Sequence, residues 1–269
     1  MPFDARQKRW LEGRKGMNIF DLTGEVAIVT GGNQGIGYAI SKGLAQAGAT
    51  VVIADINGDK AVKAAESLKA EGLHASAIQV DVTKLPSLAS LVSKVMAENG
   101  KIDILVNSAG VIVRRQAEEV SEEEWDFIMG ANLKGLFFCC QEVGKEMIKR
   151  RKGKIISISS DVSQIARSGL SIYSISKAGV SQLTKALAVE WGRYNINVNA
   201  IAPGTTLTEM TRGFLEKNPE VLEERKKANP MGRLAEPSDH VGVAVFLASR
   251  ASDFVNGQTY RVDGGVTIW

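Results

Sequence analysis

From Glu25 onward, short runs of β-branched and aliphatic residues alternate with longer stretches whose apolar positions recur every three to four residues. Seven runs read as strands: Val26 to Thr30, Thr50 to Ala54, Ser76 to Val80, Ile104 to Asn107, Lys154 to Ser159, Ile196 to Ile201 and Gln258 to Val262. The stretches between them carry helix-start signals, among them Ser121 followed by Glu124 as a capping box and Pro237 with Ser238 and Asp239 ahead of the last helix. Strands joined by helices run parallel, and right-handed crossovers place those helices on both faces of the sheet. The pattern thus predicts an α/β fold, a doubly wound parallel sheet of about seven strands with its site at the carboxyl ends of the strands. Residues 205 to 236 depart from the alternation: they are highly charged, helical in pattern and bounded by breaks at Pro219, Pro230 and Pro237, which predicts a lid over that site.

The unbroken alternation reads as a single domain over residues 21 to 269, preceded by a flexible extension over residues 1 to 20. The net charge of +3 does not change this picture, because it resides at the start of the chain. There Arg6, Lys8, Arg9, Arg14 and Lys15 face only Asp4 and Glu12, and the rest is balanced. No basic stripe of the kind that neutralises a nucleic-acid backbone remains, so nucleic acid is not expected as a partner. No apolar run approaches the roughly 20 residues that span a bilayer. The two cysteines, Cys139 and Cys140, are adjacent, which supports neither a disulfide framework nor a metal site. With no apolar secretory core at the start, the expected location is the cytoplasm.

The first chemical signal is the turn after the first strand. Gly31, Gly32, Asn33, Gln34, Gly35, Ile36 and Gly37 lead from that strand into a helix, and glycines there let backbone N–H groups and the positive helix end approach a pyrophosphate. This strand-turn-helix context makes the sheet Rossmann-type. Asp55 ends the second strand 20 residues after Gly35, where a carboxylate accepts hydrogen bonds from ribose hydroxyls and repels a 2′-phosphate. No Arg or Lys occupies positions 31 to 37 or 56, so NAD is expected over NADP.

The second signal is Tyr173 and Lys177, four residues apart and hence on one helix face. A tyrosine titrates near 10, so acting as a base near neutral pH asks for a shift of about three units, or roughly 4 kcal/mol. One positive charge at about 4 Å in an effective dielectric of about 20 supplies that much. Lys177 and an oxidised nicotinamide are the expected sources. Tyr38 and Lys42 share the spacing, but only Tyr173 has a serine, Ser160, placed 13 residues earlier at the end of a strand.

Together these residues resemble the short-chain dehydrogenase/reductase family over residues 21 to 269: the glycine turn, Asn107 to Gly110, Asn132, Ser160, Tyr173, Lys177, and Pro203-Gly204 to Thr208 fall in register. Ser108 departs from the pattern, where a second Asn is usual. The resemblance implies Tyr173 as general acid/base, Lys177 tuning it and holding nicotinamide ribose hydroxyls, Ser160 binding the reacting oxygen, and Asn132 supporting a proton relay. It also implies cofactor contacts at Asp81, Val82, Asn107, Ala109, Gly110, Pro203, Gly204, Thr206 and Thr208, and a homotetramer. The segments Val111 to Arg115 and Glu190 to Tyr194 are similar to those of gluconate 5-dehydrogenase-like and 2-deoxy-D-gluconate 3-dehydrogenase-like members, which implies a secondary alcohol or ketone of a sugar acid or polyol as substrate. Arg115 and Arg167, with Arg114 beside them, are candidates for a carboxylate clamp; solvated arginines paired with Glu118 or Glu119 fit the same sequence. His240 reads as surface. Competing readings are a 3-oxoacyl-carrier-protein reductase, a dinucleotide-sensing regulator without turnover, and a nucleotide-sugar epimerase.

Overall fold

The computed structural model describes residues 18–269, so the expected extension lies outside the described residues as far as residue 17. The sheet contains β1 (Val26–Thr30), β2 (Thr50–Asp55), β3 (Ala75–Gln79), β4 (Ile104–Asn107), β5 (Gly153–Ile158), β6 (Ile196–Pro203) and β7 (Thr259–Val262). All pairs are parallel and the order is β3-β2-β1-β4-β5-β6-β7. β1 and β4 have the expected bounds, and the other strands differ from expectation by one or two residues at one or both ends. The largest difference is at β6, which continues through Pro203: β5 pairs only as far as Ile201, so the missing N–H of the proline interrupts no ladder.

The period-two alternation of each strand supplies two cores. Val26, Ile28, Val52 and Ala54 join one cluster, and Ala27, Val29, Val51 and Ile53 the other. Every residue of β1 is buried because helices cover both faces. Those helices are α1 (Gly35–Gln46), α2 (Gly58–Ala70), α3 (Leu85–Asn99), α4 (Glu122–Met129), α5 (Leu136–Arg150), α6 (Ser171–Trp191), α7 (Glu209–Lys217), α8 (Pro219–Lys227) and α9 (Val241–Ala248). The predicted capping box at Ser121 and Glu124 is formed at the start of α4. Pro237 opens a short 3-10 turn, Pro237–His240, that runs into α9. Helices α7 and α8 fill the segment expected to form a lid.

The order reverses between β1 and β4, leaving a crevice beyond their carboxyl ends. Its two walls are tied together: the Thr30 hydroxyl accepts hydrogen bonds from Ser108 N (3.2 Å) and Ala109 N (3.3 Å). Among the described residues, no helix is long and apolar enough to cross a membrane.

Candidate active site

A cavity of about 450 Å³ occupies this crevice, reaching from Asp55 past the glycine turn to Tyr173 and helix α8. At one end Gly31 adopts φ +65°, and a Cβ there would lie 2.7 Å from Ala109 N, so only glycine closes the turn against the neighbouring loop. A Cβ on Gly37 would overlap the Gly31 carbonyl. Helix α1 starts after an extended Gln34 that offers no side-chain cap, which leaves its first N–H groups for an anionic ligand. Asn33, Gln34, Gly35 and Ile36 line the same end.

Asp55 and Asp81 line the cavity at the ends of neighbouring strands. Asp55 is half-buried; burial raises its pKa, against hydrogen bonding from Asn57 N (2.9 Å) and the nearby Lys60. Lys60 lines the cavity from helix α2, a basic neighbour beyond positions 31 to 37 and 56. Asp81 accepts from both the hydroxyl (2.6 Å) and the amide (2.9 Å) of Thr83, which lowers its pKa and fixes the turn that carries Val82 into the cavity.

Ser160, Tyr173 and Lys177 converge at the middle of the cavity. Helix α6 is pinned to the end of β5 by Ser159, whose hydroxyl donates to Lys177 O (3.0 Å) and lies 2.8 Å from the Ser181 hydroxyl. The Lys177 ammonium donates to Ile158 O (2.7 Å) and lies 5.6 Å from the Tyr173 ring centroid. Its other two donors have no hydrogen-bond partner among the described residues and suit the hydroxyls of a ribose. Burial lowers the ammonium to about 8. Burial also pushes Tyr173 up to about 12, Asp161 adds to the rise, and Ser160 and Arg114 oppose it. Desolvation therefore outweighs the lowering expected from Lys177, and in this arrangement the phenol is a proton donor at neutral pH.

The remaining predicted residues separate into two groups. Ala109, Gly110, Pro203, Gly204, Thr206, Thr208 and Arg167 line the cavity, whereas Asn107, Asn132 and Arg115 do not. Asn107 is buried below it, donating to Cys140 Sγ (3.2 Å) and Ser157 Oγ (3.4 Å). Burial pushes the Cys140 thiol to about 12, which removes it as a nucleophile. Asn132 lies in a π-helical segment, Gly130–Gly135, and its amide is occupied: Oδ1 accepts from Val111 N (2.8 Å) while Nδ2 donates to Val111 O (2.9 Å) and Ser176 Oγ (3.2 Å). It shapes the loop that reaches the cavity. Arg115 is exposed and held by Glu124 at 2.9 Å, the solvated alternative of the two readings.

Arg114 takes the cavity position beside it, stacked 4.2 Å from the centroid of Phe214 on α7. Two residues that sequence reasoning passed over are also present: Asp161, which receives Arg167 at 2.6 Å, and Arg225 from α8. Asp161 adjoins Ser160 in the chain, a usable signal; Arg225 sits in a charged run without a distinctive spacing. His240 is also placed differently from its expectation. It is fully buried behind Thr206, with 3.0 Å between its Nε2 and the threonine hydroxyl.

Residues 31–267 match a family model described as enoyl-(acyl carrier protein) reductase. The chain is 42% identical to gluconate 5-dehydrogenase of Gluconobacter oxydans over 251 residues, covering 93% of this chain and 98% of the relative. It is 41% identical to an NAD-dependent glycerol dehydrogenase of Listeria innocua, covering 93% and 96%. Among solved structures, a gluconate 5-dehydrogenase of Burkholderia cenocepacia in complex with NADP and tartrate superposes with a TM-score of 0.90 at 40% identity, covering 93% and 98%. With the glycine turn at a topological switch point and a Ser-Tyr-Lys cluster beside it, these matches show that the chain belongs to the short-chain dehydrogenase/reductase family, NAD(P)-dependent enzymes that act on CH–OH groups.

Proposed function

We propose that the protein oxidises a secondary alcohol of a sugar acid, or reduces the corresponding ketone, with NAD as the preferred cofactor. One observation carries this reading: the Ser160-Tyr173-Lys177 cluster shares its cavity with the half-buried guanidiniums of Arg114 and Arg225, neither of which has a carboxylate within 4.0 Å among the described residues. A carboxylate on the substrate supplies that partner. The relatives that act on gluconate-type acids point the same way. A 3-oxoacyl-carrier-protein reductase, represented among the relatives by a Chlamydia trachomatis enzyme, has less use for such a charged cavity end.

When bound, the nicotinamide accepts the hydride in oxidation or supplies it in reduction. The chain handles the proton. Tyr173 donates it to the substrate oxygen in reduction; in oxidation the phenol first releases its own proton to solvent, which the positive charges of Lys177 and of a bound oxidised nicotinamide would favour, and the phenolate then takes the proton of the substrate hydroxyl. Ser160 holds the reacting oxygen; its hydroxyl now donates to Asp161 Oδ1 (3.0 Å) and must turn from there to do so. Lys177 holds ribose hydroxyls and supplies positive charge beside the phenol. Asn132 acts through Val111 and Ser176 as a positioning residue.

Asp55 supports NAD by accepting from the ribose and repelling a 2′-phosphate; Lys60 weakens the repulsion, so the discrimination is modest. We also infer cytoplasmic residence, which suits two free buried thiols, and closure of segment 205–236 over the substrate.

Tyr173→Phe tests the assignment. Turnover is expected to fall by at least about 100-fold while NADH binding persists, because the hydroxyl serves proton transfer more than affinity. Near-normal turnover in this variant contradicts the mechanism.

A further inference from the structure

Three arginines face the substrate end of the cavity, and their charges are not equally free. Arg167 is neutralised: its Nη2 lies 2.6 Å from Asp161 Oδ2 and its Nη1 donates to the Thr205 hydroxyl (3.3 Å). Arg114 is spread over the face of Phe214 at 4.2 Å, with a buried Nε that has no acceptor. Arg225 lies 5.9 Å from the same ring, and among the described residues its one hydrogen bond is a long one from Nη1 to the Thr205 hydroxyl (3.4 Å). No carboxylate lies within 4.0 Å of Arg114 or Arg225 among the described residues.

Two half-buried guanidiniums beside a third constitute an unsatisfied arrangement. Burial, then Arg167 and Arg114, hold the Arg225 pKa below its ordinary value, and the more distant carboxylates of Asp161 and Glu224 offset this only in part. An arginine stays charged regardless, so the arrangement favours an anion that enters between the two cations. Of the pair, Arg225 has the fork free of stacking at short range and is carried by α8, whereas Arg114 belongs to the loop after β4 and is held against Phe214.

We propose that Arg225 is the specificity-determining residue of the site: its guanidinium takes the substrate carboxylate as a bidentate pair, with Arg114 as the second cation across Phe214. This rests on the sugar-acid reading above. The arrangement also gives a reason for the lid to read charge. Phe214 and Arg225 belong to α7 and α8 and Arg114 to the body, so a carboxylate bridges the two and a neutral polyol does not.

The test is kcat/KM for gluconate and for glycerol, at saturating cofactor, in the wild type, Arg225→Gln and Arg225→Lys, with thermal midpoints as a folding control. For Arg225→Gln the gluconate value is expected to drop roughly 10- to 100-fold, chiefly through KM, and the gluconate-to-glycerol ratio to fall with it. Arg225→Lys recovers part of the loss, since it keeps the charge and loses the fork. A wild type that prefers gluconate and an Arg225→Gln variant that keeps the same ratio overturn the assignment of Arg225 alone. A wild type with no preference for gluconate overturns the sugar-acid reading and this inference together. Should Arg225→Gln fail to fold, an unchanged ratio in the folded Lys variant, together with an unchanged gluconate KM, overturns it equally.

Discussion

His240 shows how much one side chain's surroundings decide. The Thr206 hydroxyl donates to Gly204 O (3.0 Å), so its single proton is committed and His240 must be the donor through Nε2. Nδ1 is then a bare, buried acceptor without a partner among the described residues. Protonating it puts a charge where little water reaches, and burial lowers the His240 pKa to about 4 from 6.5, outweighing the opposing pull of the Asp239 carboxylate. The folded state binds the proton less well than the unfolded chain. Above pH 6.5 both are neutral and stability is unaffected; as pH falls from 6.5 towards 4 the unfolded chain takes up the proton first, and stability is lost. The penalty is roughly 3 kcal/mol by pH 4. Urea unfolding of the wild type and His240→Gln across this window measures it: the gap between the two is expected to change in favour of the variant as pH falls. Parallel curves contradict the assignment.

At the scale of elements, the strands were legible because a doubly covered parallel sheet needs continuous apolar runs, and β1, with every residue buried, is such a run. The glycine turn was legible because Gly31 and Gly37 answer to steric demands that no other residue meets. The helix pairing of Tyr173 with Lys177 followed from spacing, and the strand-end position of Ser160 from the run before it. Less of the cavity's charge was legible. Lys60 and Arg225 reach the cavity from helices, where no local pattern marks which face meets a ligand. Arg114 and Arg115 are neighbours with opposite fates, one against Phe214 and the other against Glu124. Their difference is decided by what α7 and α4 bring across from elsewhere in the chain. Asn132 likewise gives no sign in sequence that its helix widens into a π segment, the distortion that aims its amide at Val111.

At the scale of the whole molecule, the parallel sheet gathers the ends of β1, β2, β4, β5 and β6 at one edge. Residues as distant in sequence as Gly31 and Arg225 thus share one cavity. Elsewhere the molecule exposes Val189, Phe254, Ile268 and Trp269, large apolar side chains that suit burial against further copies. The assembly we propose, on the family resemblance, is a homotetramer; light scattering is expected to give four times the 28.9 kDa of one chain, and the mass of a single chain contradicts it.

That this cavity exchanges a hydride between NAD and a sugar acid, as we propose, is tested most directly by the initial rate of NADH or NADPH formation over gluconate-type acids, polyols and simple alcohols, with NAD and NADP side by side. The highest kcat/KM is expected for a sugar acid with NAD, with a measurable but lower value for NADP. Turnover confined to uncharged alcohols, or a clear preference for NADP, contradicts it.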